Sequence, residues 1–173
     1  PVSVPVMDLS AASETADTTY YGMNYKDCQK DEAADFRVKK YQLDFSVGLN
    51  LTGRAKVYVD RSELKSYRFT LYHGYKVKQV TDQTGAALDF RREYDYVTVT
   101  RGGAAVEYLC LEYTGKSPKY YSSYAGVCLP ANFAYYPIPG YRELFKDNFY
   151  GFIDCSLPYD TAFDVRCSGR KQM

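Results

Sequence analysis

Tryptophan is absent from this 173-residue chain, and histidine occurs once, as His73. A zinc-peptidase helix needs two histidines one turn apart with a glutamate beside the first, so that chemistry has no donor set here. A Ser-His-Asp or Cys-His arrangement would have to use His73. It falls in a Tyr72-His73-Gly74 stretch that reads as a turn, and no Gly-x-Ser-x-Gly elbow accompanies it. No glycine-rich phosphate loop occurs; Gly102-Gly103 is a lone pair and reads as a turn. No run of ~18 apolar residues, the length of a membrane helix, is found. No signal peptide is visible, and the chain opens on Pro1. We therefore expect a piece of a longer polypeptide.

Charge of either sign is not in excess. Lys plus Arg is 22 and Asp plus Glu is 21, a net charge of +1. Nucleic-acid binding calls for a concentrated basic surface, and the basic residues here are scattered. The five cysteines (Cys28, Cys110, Cys128, Cys155, Cys167) form no Cys-x-x-Cys pair, so no metal site is expected. Their odd number leaves one thiol without a partner in the chain. Cys155 and Cys167 could be bridged if their strands are neighbours, whereas Cys110 lies in an apolar run and reads as a small core residue.

What the chain has in plenty is tyrosine, 20 residues of it, with nine phenylalanines. Aromatic residues suit half-buried, pleated surfaces, so the plain reading is a β protein. The sharper reading is an aromatic binding surface.

Periodicity supports the first reading. Tyr41, Leu43, Phe45, Val47, Leu49 and Leu51 fall on every second residue, then Ala55, Val57 and Val59 do so again. Such alternation marks strands with one buried face. Thr52-Gly53 interrupts it and is expected to be the hairpin turn. Short strands follow at Arg68–Tyr72, Tyr75–Val80, Leu88–Phe90 and Tyr94–Thr100. The run Val106–Tyr113 is apolar on both faces and is expected to be a central strand. Further strands are expected at Phe149–Leu157 and Phe163–Cys167. Helix is limited to a short stretch within Tyr25–Phe36 and one turn at Arg142–Asp147. The expected fold is all-β, an antiparallel β-sandwich or pair of saddle-shaped sheets. Residues 1–36 read as a leader or linker, 37–169 as the domain and 170–173 as a tail.

Between Gly115 and Pro139 the alternation stops, and prolines punctuate a tyrosine-rich segment. Long ordered loops often carry function, so Tyr120, Tyr121, Tyr124, Tyr135 and Tyr136 are the candidate binding residues. No catalytic residue is expected. Asp154, Asp160, Asp164, Glu107 and Glu112 could in principle supply the two acids of a glycosidase, but they read as ordinary surface acids.

The order of elements resembles a known family. Lys39 to Phe45 (KKYQLDF), Leu51 to Val57 (LTGRAKV), Phe69-Thr70-Leu71, Leu111 to Gly115 (LEYTG) and Tyr135-Tyr136-Pro137 follow one another as do the strands of the N-terminal β-domain of the aminopeptidase N-like zinc metallopeptidases. Asp164 to Gly169 is similar to the strand that ends that domain. The resemblance spans residues 37–169 and implies a saddle-like β-domain. It also carries departures. Neither Gly-x-Met-Glu-Asn nor His-Glu-x-x-His is present, so peptidase activity does not transfer. Pro137 is followed by Ile138-Pro139-Gly140, which leaves no match for the carboxylate that full peptidases place there. That looser form looks more like bacterial membrane proteins in which a peptidase-like region is fused to transporter-type segments. The resemblance thus implies a non-enzymatic, cofactor-free domain, extracytoplasmic in a membrane-anchored parent. Its partner would be a neighbouring domain or a peptide. An independent carbohydrate- or protein-binding module using surface tyrosines is the alternative.

Overall fold

The computed structural model describes residues 30–118, 122–123, 126–129, 133–143 and 157–169. The described residues form eleven strands and no helix. They are β1 (Val38–Val47), β2 (Leu51–Val59), β3 (Ser66–Thr70), β4 (Tyr75–Thr81), β5 (Phe90–Glu93), β6 (Tyr96–Thr100), β7 (Tyr108–Gly115), β8 (Ser122–Ser123), β9 (Gly126–Val127), β10 (Ile138–Pro139) and β11 (Ala162–Gly169). One sheet runs β11-β1-β2-β7-β4, a second β10-β3-β6-β5, and β8-β9 is a small ribbon. All pairs are antiparallel except β1 with β11. The expected all-β sandwich is therefore present, with one parallel edge.

The alternation in β1 and β2 builds the core. Tyr41, Leu43, Phe45, Leu51, Ala55, Val57 and Val59 are buried together with Tyr67, Phe69, Val97 and Val99 of the second sheet. β7 lies between β2 and β4, which is why Leu109, Cys110, Leu111 and Tyr113 are all buried. Among the described residues most tyrosines belong to the core. Tyr41, Tyr67, Tyr75, Tyr96 and Tyr113 are among the largest fully buried side chains. Their hydroxyls are satisfied inside, as burial requires. Tyr41 donates to the Pro137 carbonyl (2.7 Å), Tyr113 to that of Tyr135 (2.8 Å) and Tyr67 to that of Arg61 (2.6 Å).

Two expectations need correction. The first hairpin turns at Gly48-Leu49-Asn50, not at Thr52-Gly53: Val47 pairs with Leu51 and Phe45 with Gly53. Leu49 is at the tip and 99% exposed. Gly53 is a strand residue over which the Tyr113 ring lies; a β-carbon there would sit 2.5 Å from ring carbons. The second concerns the leader. Residues 30–36 hold no helix, with an isolated bridge at Glu32 and a bend at Asp35-Phe36, while Tyr25–Gln29 lie outside the described residues. Glu32 exchanges both backbone hydrogen bonds with Tyr141 (2.8 Å each), the Lys30 amide donates to the Tyr96 hydroxyl, and Phe36 packs edge-on to Tyr67 and Phe69. These tertiary contacts override a weak helix propensity. Of the expected turn at Arg142–Asp147, only residues 142–143 are described, and they are not helical.

The turn after β4 is held by one carboxylate. Asp82 Oδ1 accepts from the Thr84 amide (2.8 Å), the Thr84 hydroxyl (2.6 Å) and the Ala86 amide (3.1 Å), an Asx turn. The Thr84 hydroxyl, with the two amides, holds the Asp82 carboxyl below its ordinary value of 3.8. A lowered folded-state pKa gives stability that is present above the unfolded value and lost as pH falls through the folded one. Asp82→Ala is thus expected to lower the melting temperature at neutral pH and to narrow its gap from the native chain in acid. Melting curves taken from neutral pH to below pH 3.8 check this; a gap that widens in acid would refute it.

Candidate functional site

The segment Phe133–Gly140 joins the two sheets. Ile138-Pro139 pairs with Phe69-Thr70 of β3, and Thr70 Oγ1 donates to the Gly140 carbonyl (2.8 Å). Just before it, Tyr135 and Tyr136 lean on the five-stranded sheet, with ring centroids 5.4 Å from Phe45 and 5.1 Å from Tyr41. The buried hydroxyls of Tyr41 and Tyr113 clamp this backbone from below. Among the candidate binding residues, Tyr120, Tyr121 and Tyr124 lie outside the described residues. Tyr135 and Tyr136 are buried, at 9% and 3% exposure, so neither stands out as a surface tyrosine.

What they do is floor a groove. It has a volume of about 400 Å³ and is lined by Tyr135, Tyr136, Leu157, Tyr159, Phe163 and Val165, together with Asp160 and Thr161. Tyr159 is fixed on the wall: its hydroxyl accepts from the Val38 amide (3.0 Å), and the Arg37 guanidinium lies 5.2 Å from its ring. Burial pushes the hydroxyls of Tyr135 and Tyr159 above their ordinary value.

The reason for the groove is a mismatch between the layers. β11 runs parallel to β1, with Phe163 opposite Tyr41, Val165 opposite Leu43 and Cys167 opposite Phe45. These three side chains continue the core face of the sheet. Tyr41 stacks on Phe163 (5.0 Å, 16° between planes). Yet the second sheet does not reach this far, and Phe163 and Val165 remain 48% and 51% exposed. Sequence alternation alone could not flag this, because an uncovered strand and a covered one alternate alike.

Among the described residues the acids are not brought together as a pair. Asp160 lies in the groove, while Asp164 faces the opposite side of the sheet beside Gln42 and Asp44. Glu112 is paired with Arg54 (3.5 Å) and accepts from Gln79. Asp154 is outside the described residues. His73 is 6% exposed; its amide donates to Asp95 Oδ1 and its Nδ1 contacts the same oxygen, each at 2.7 Å. With Arg92 donating to the carbonyls of Leu71 and Tyr72, this pair pins the β3–β4 loop to the β5–β6 turn. Among the described residues no cluster of three or more His, Cys, Asp or Glu could hold a metal. Cys110 is a buried free thiol and Cys167 an exposed one. On the outer face Tyr58 and Tyr108 contact each other at 4.9 Å, but Lys40 and Lys56 already lie over their rings.

No protein-family model matches the sequence, and no curated protein matches it significantly. Solved structures do resemble the fold. A variant of the M1 zinc metallopeptidase of Deinococcus radiodurans with a Tyr-Ser-Ala substrate is 20% identical at a TM-score of 0.52, covering 85% of this chain and 36% of its own. A second crystal structure of that variant gives 19% identity, the same TM-score and the same coverage. A yeast LTA4 hydrolase in complex with Bestatin aligns at a TM-score of only 0.40, with 17% identity over 51% of this chain and 16% of its own. The chain spans about a third of the length of the Deinococcus structures. At such identity the likeness is one of fold: this is a β-domain similar to the N-terminal domain of M1 zinc metallopeptidases.

Proposed function

We propose that the chain is a non-catalytic β-domain of a larger aminopeptidase-like or transporter-associated protein. It packs on a neighbouring domain and helps shape a peptide-binding cleft. The observation that carries this is the uncovered core face at β11. Burying an apolar side chain fully stabilises by about 1.5–3 kcal/mol relative to leaving it exposed. Phe163 and Val165, half-exposed beside an open groove, therefore form a surface on which burial by another domain gains stability. Contiguous apolar ground of this kind marks interaction sites.

The test is binding between this chain and the adjoining domain of its parent, expressed separately, by calorimetry. Phe163→Asp and Leu157→Asp are each expected to weaken it by about thirtyfold, the loss typical of a central anchor. Tyr58→Ala, on the opposite face, should leave it unchanged. Equal binding by all three variants would refute the groove as the packing surface.

A further inference from the structure

Among the described residues four strands lie at the edges of the two main sheets, and three of them are protected in recognisable ways. β4 carries a register shift between Val77 and Gln79 and places Lys76 and Lys78 on the edge. β5 has only four residues, Phe-Arg-Arg-Glu. β10 has two, one of them Pro139. Bulges, charges, proline and shortness are the usual devices that stop an edge from pairing with another chain. β11 has no bulge, no proline and no shortness to protect it, and its two charges, Asp164 and Arg166, are of opposite sign and so do not repel a second copy. It runs for eight residues, Ala-Phe-Asp-Val-Arg-Cys-Ser-Gly, every one exposed, in unbroken register with β1 from Lys40–Ala162 to Val47–Gly169.

Its sequence is also complementary to itself. An antiparallel copy related by a two-fold axis through Val165 places Asp164 of each chain opposite Arg166 of the other. Residues directly opposite share a face, so both charge pairs lie on the outer face. On the inner face Val165 meets Val165, and Phe163 meets Cys167 of the second copy. A one-residue slip would lose both charge pairs and send apolar side chains to the polar face.

We propose that two copies of this chain pair edge to edge through β11, joining their five-stranded sheets across a two-fold axis. The pairing lies in the plane of the sheet. It leaves the inner face of the groove open to a further domain and does not depend on one.

The test uses the full chain at high micromolar concentration. Sedimentation equilibrium should give twice the 19.8 kDa chain mass. Asp164→Arg sets arginine against Arg166, and Arg166→Asp sets aspartate against Asp164, so each variant alone should dimerise at least about tenfold more weakly. Mixed in equal amounts they should regain the dimer. The introduced arginine of one then faces the introduced aspartate of the other, and the native Arg166 and Asp164 face each other as before. Unchanged circular dichroism of each variant excludes misfolding, and Val165→Lys supplies a second disruption on the apolar face. A monomeric native chain, variants that dimerise undiminished, or a mixture that stays monomeric would each overturn the proposal. A monomer in which the outward-pointing β11 amides, those not bonded to β1, resist hydrogen exchange would also overturn it, by showing that another segment of this chain occupies the edge.

Discussion

Gly115→Ala is expected to destabilise the domain by about 3 kcal/mol or more, at the top of the overpacking range. Gly115 ends β7, flanked by Leu51 of β2 and Tyr75 of β4. A β-carbon there would lie 1.8 Å from the Gly74 carbonyl oxygen, 2.8 Å from its carbon and 3.0 Å from the Tyr75 α-carbon. All three are backbone atoms. No rotamer change relieves the clash; the β4 strand itself has to move, and with it the ladder that joins β4 to the sheet. For Gly53→Ala the three nearest atoms all belong to the Tyr113 side chain. That ring is fully buried and its hydroxyl is bonded to the Tyr135 carbonyl, so a cost of about 1–3 kcal/mol is expected. Gly103→Ala meets nothing within 4 Å and serves as the control. Thermal unfolding should rank the three in that order, with a fall of roughly 6–12 °C for Gly115→Ala. A Gly115→Ala chain within about 1 kcal/mol of native stability would show that the β4–β7 contact is looser than described.

The two glycines also show where sequence reading reaches and where it stops. Alternation located most of the strands in the domain because a half-buried strand must alternate. It misplaced the first turn because Leu49, an apolar residue at a loop tip, continued the period by chance. Gly53 then reads as the break. Glycine inside a strand has a second use, close approach of another group, and only the position of Tyr113 across the sheet reveals which use applies. Tyr135 and Tyr136 are ambiguous in the sequence for a related reason. A cluster of tyrosines beside prolines looks the same whether the rings face solvent or wedge between two sheets. The clamps from Tyr41 and Tyr113 come from residues about 96 and 22 positions away, a relation that spacing does not encode. β11 was legible as a strand, but its bare inner face follows from the reach of the opposite sheet. That depends on how far β10, β3, β6 and β5 extend, and no local pattern reports it.

The same buried tyrosines predict a sharp alkaline limit to stability. Burial raises Tyr41 and Tyr113 well above the ordinary value of 10.0 and takes Tyr75 to about 12. For Tyr41 and Tyr113 the neighbouring tyrosines add to the effect; for Tyr75 the Ser117 hydroxyl, 2.7 Å away, partly offsets it. A group whose folded pKa lies above its unfolded one binds its proton more tightly in the native state. Its contribution is complete below pH 10 and is lost as pH climbs through the folded pKa. For Tyr75 alone the loss approaches roughly 2–3 kcal/mol above pH 12, at 1.36 kcal/mol per unit. Tyr41 and Tyr113 act in the same direction, against the 5–15 kcal/mol that an ordinary domain has. We therefore expect unfolding between about pH 10 and 12, coincident with a cooperative step in tyrosinate absorbance. With no tryptophan in the chain, that signal is not overlaid by another chromophore. Exposed tyrosines should ionise first, without loss of circular dichroism. Tyr113→Phe removes one of the ionising groups but leaves the Tyr135 carbonyl without its donor. It should lower stability at neutral pH by about 1–3 kcal/mol while flattening the alkaline fall. Those opposite effects on the two parts of the curve separate ionisation from packing. A native chain whose tyrosines all titrate in one step near pH 10, with its structure retained, would show that these hydroxyls are reached by solvent.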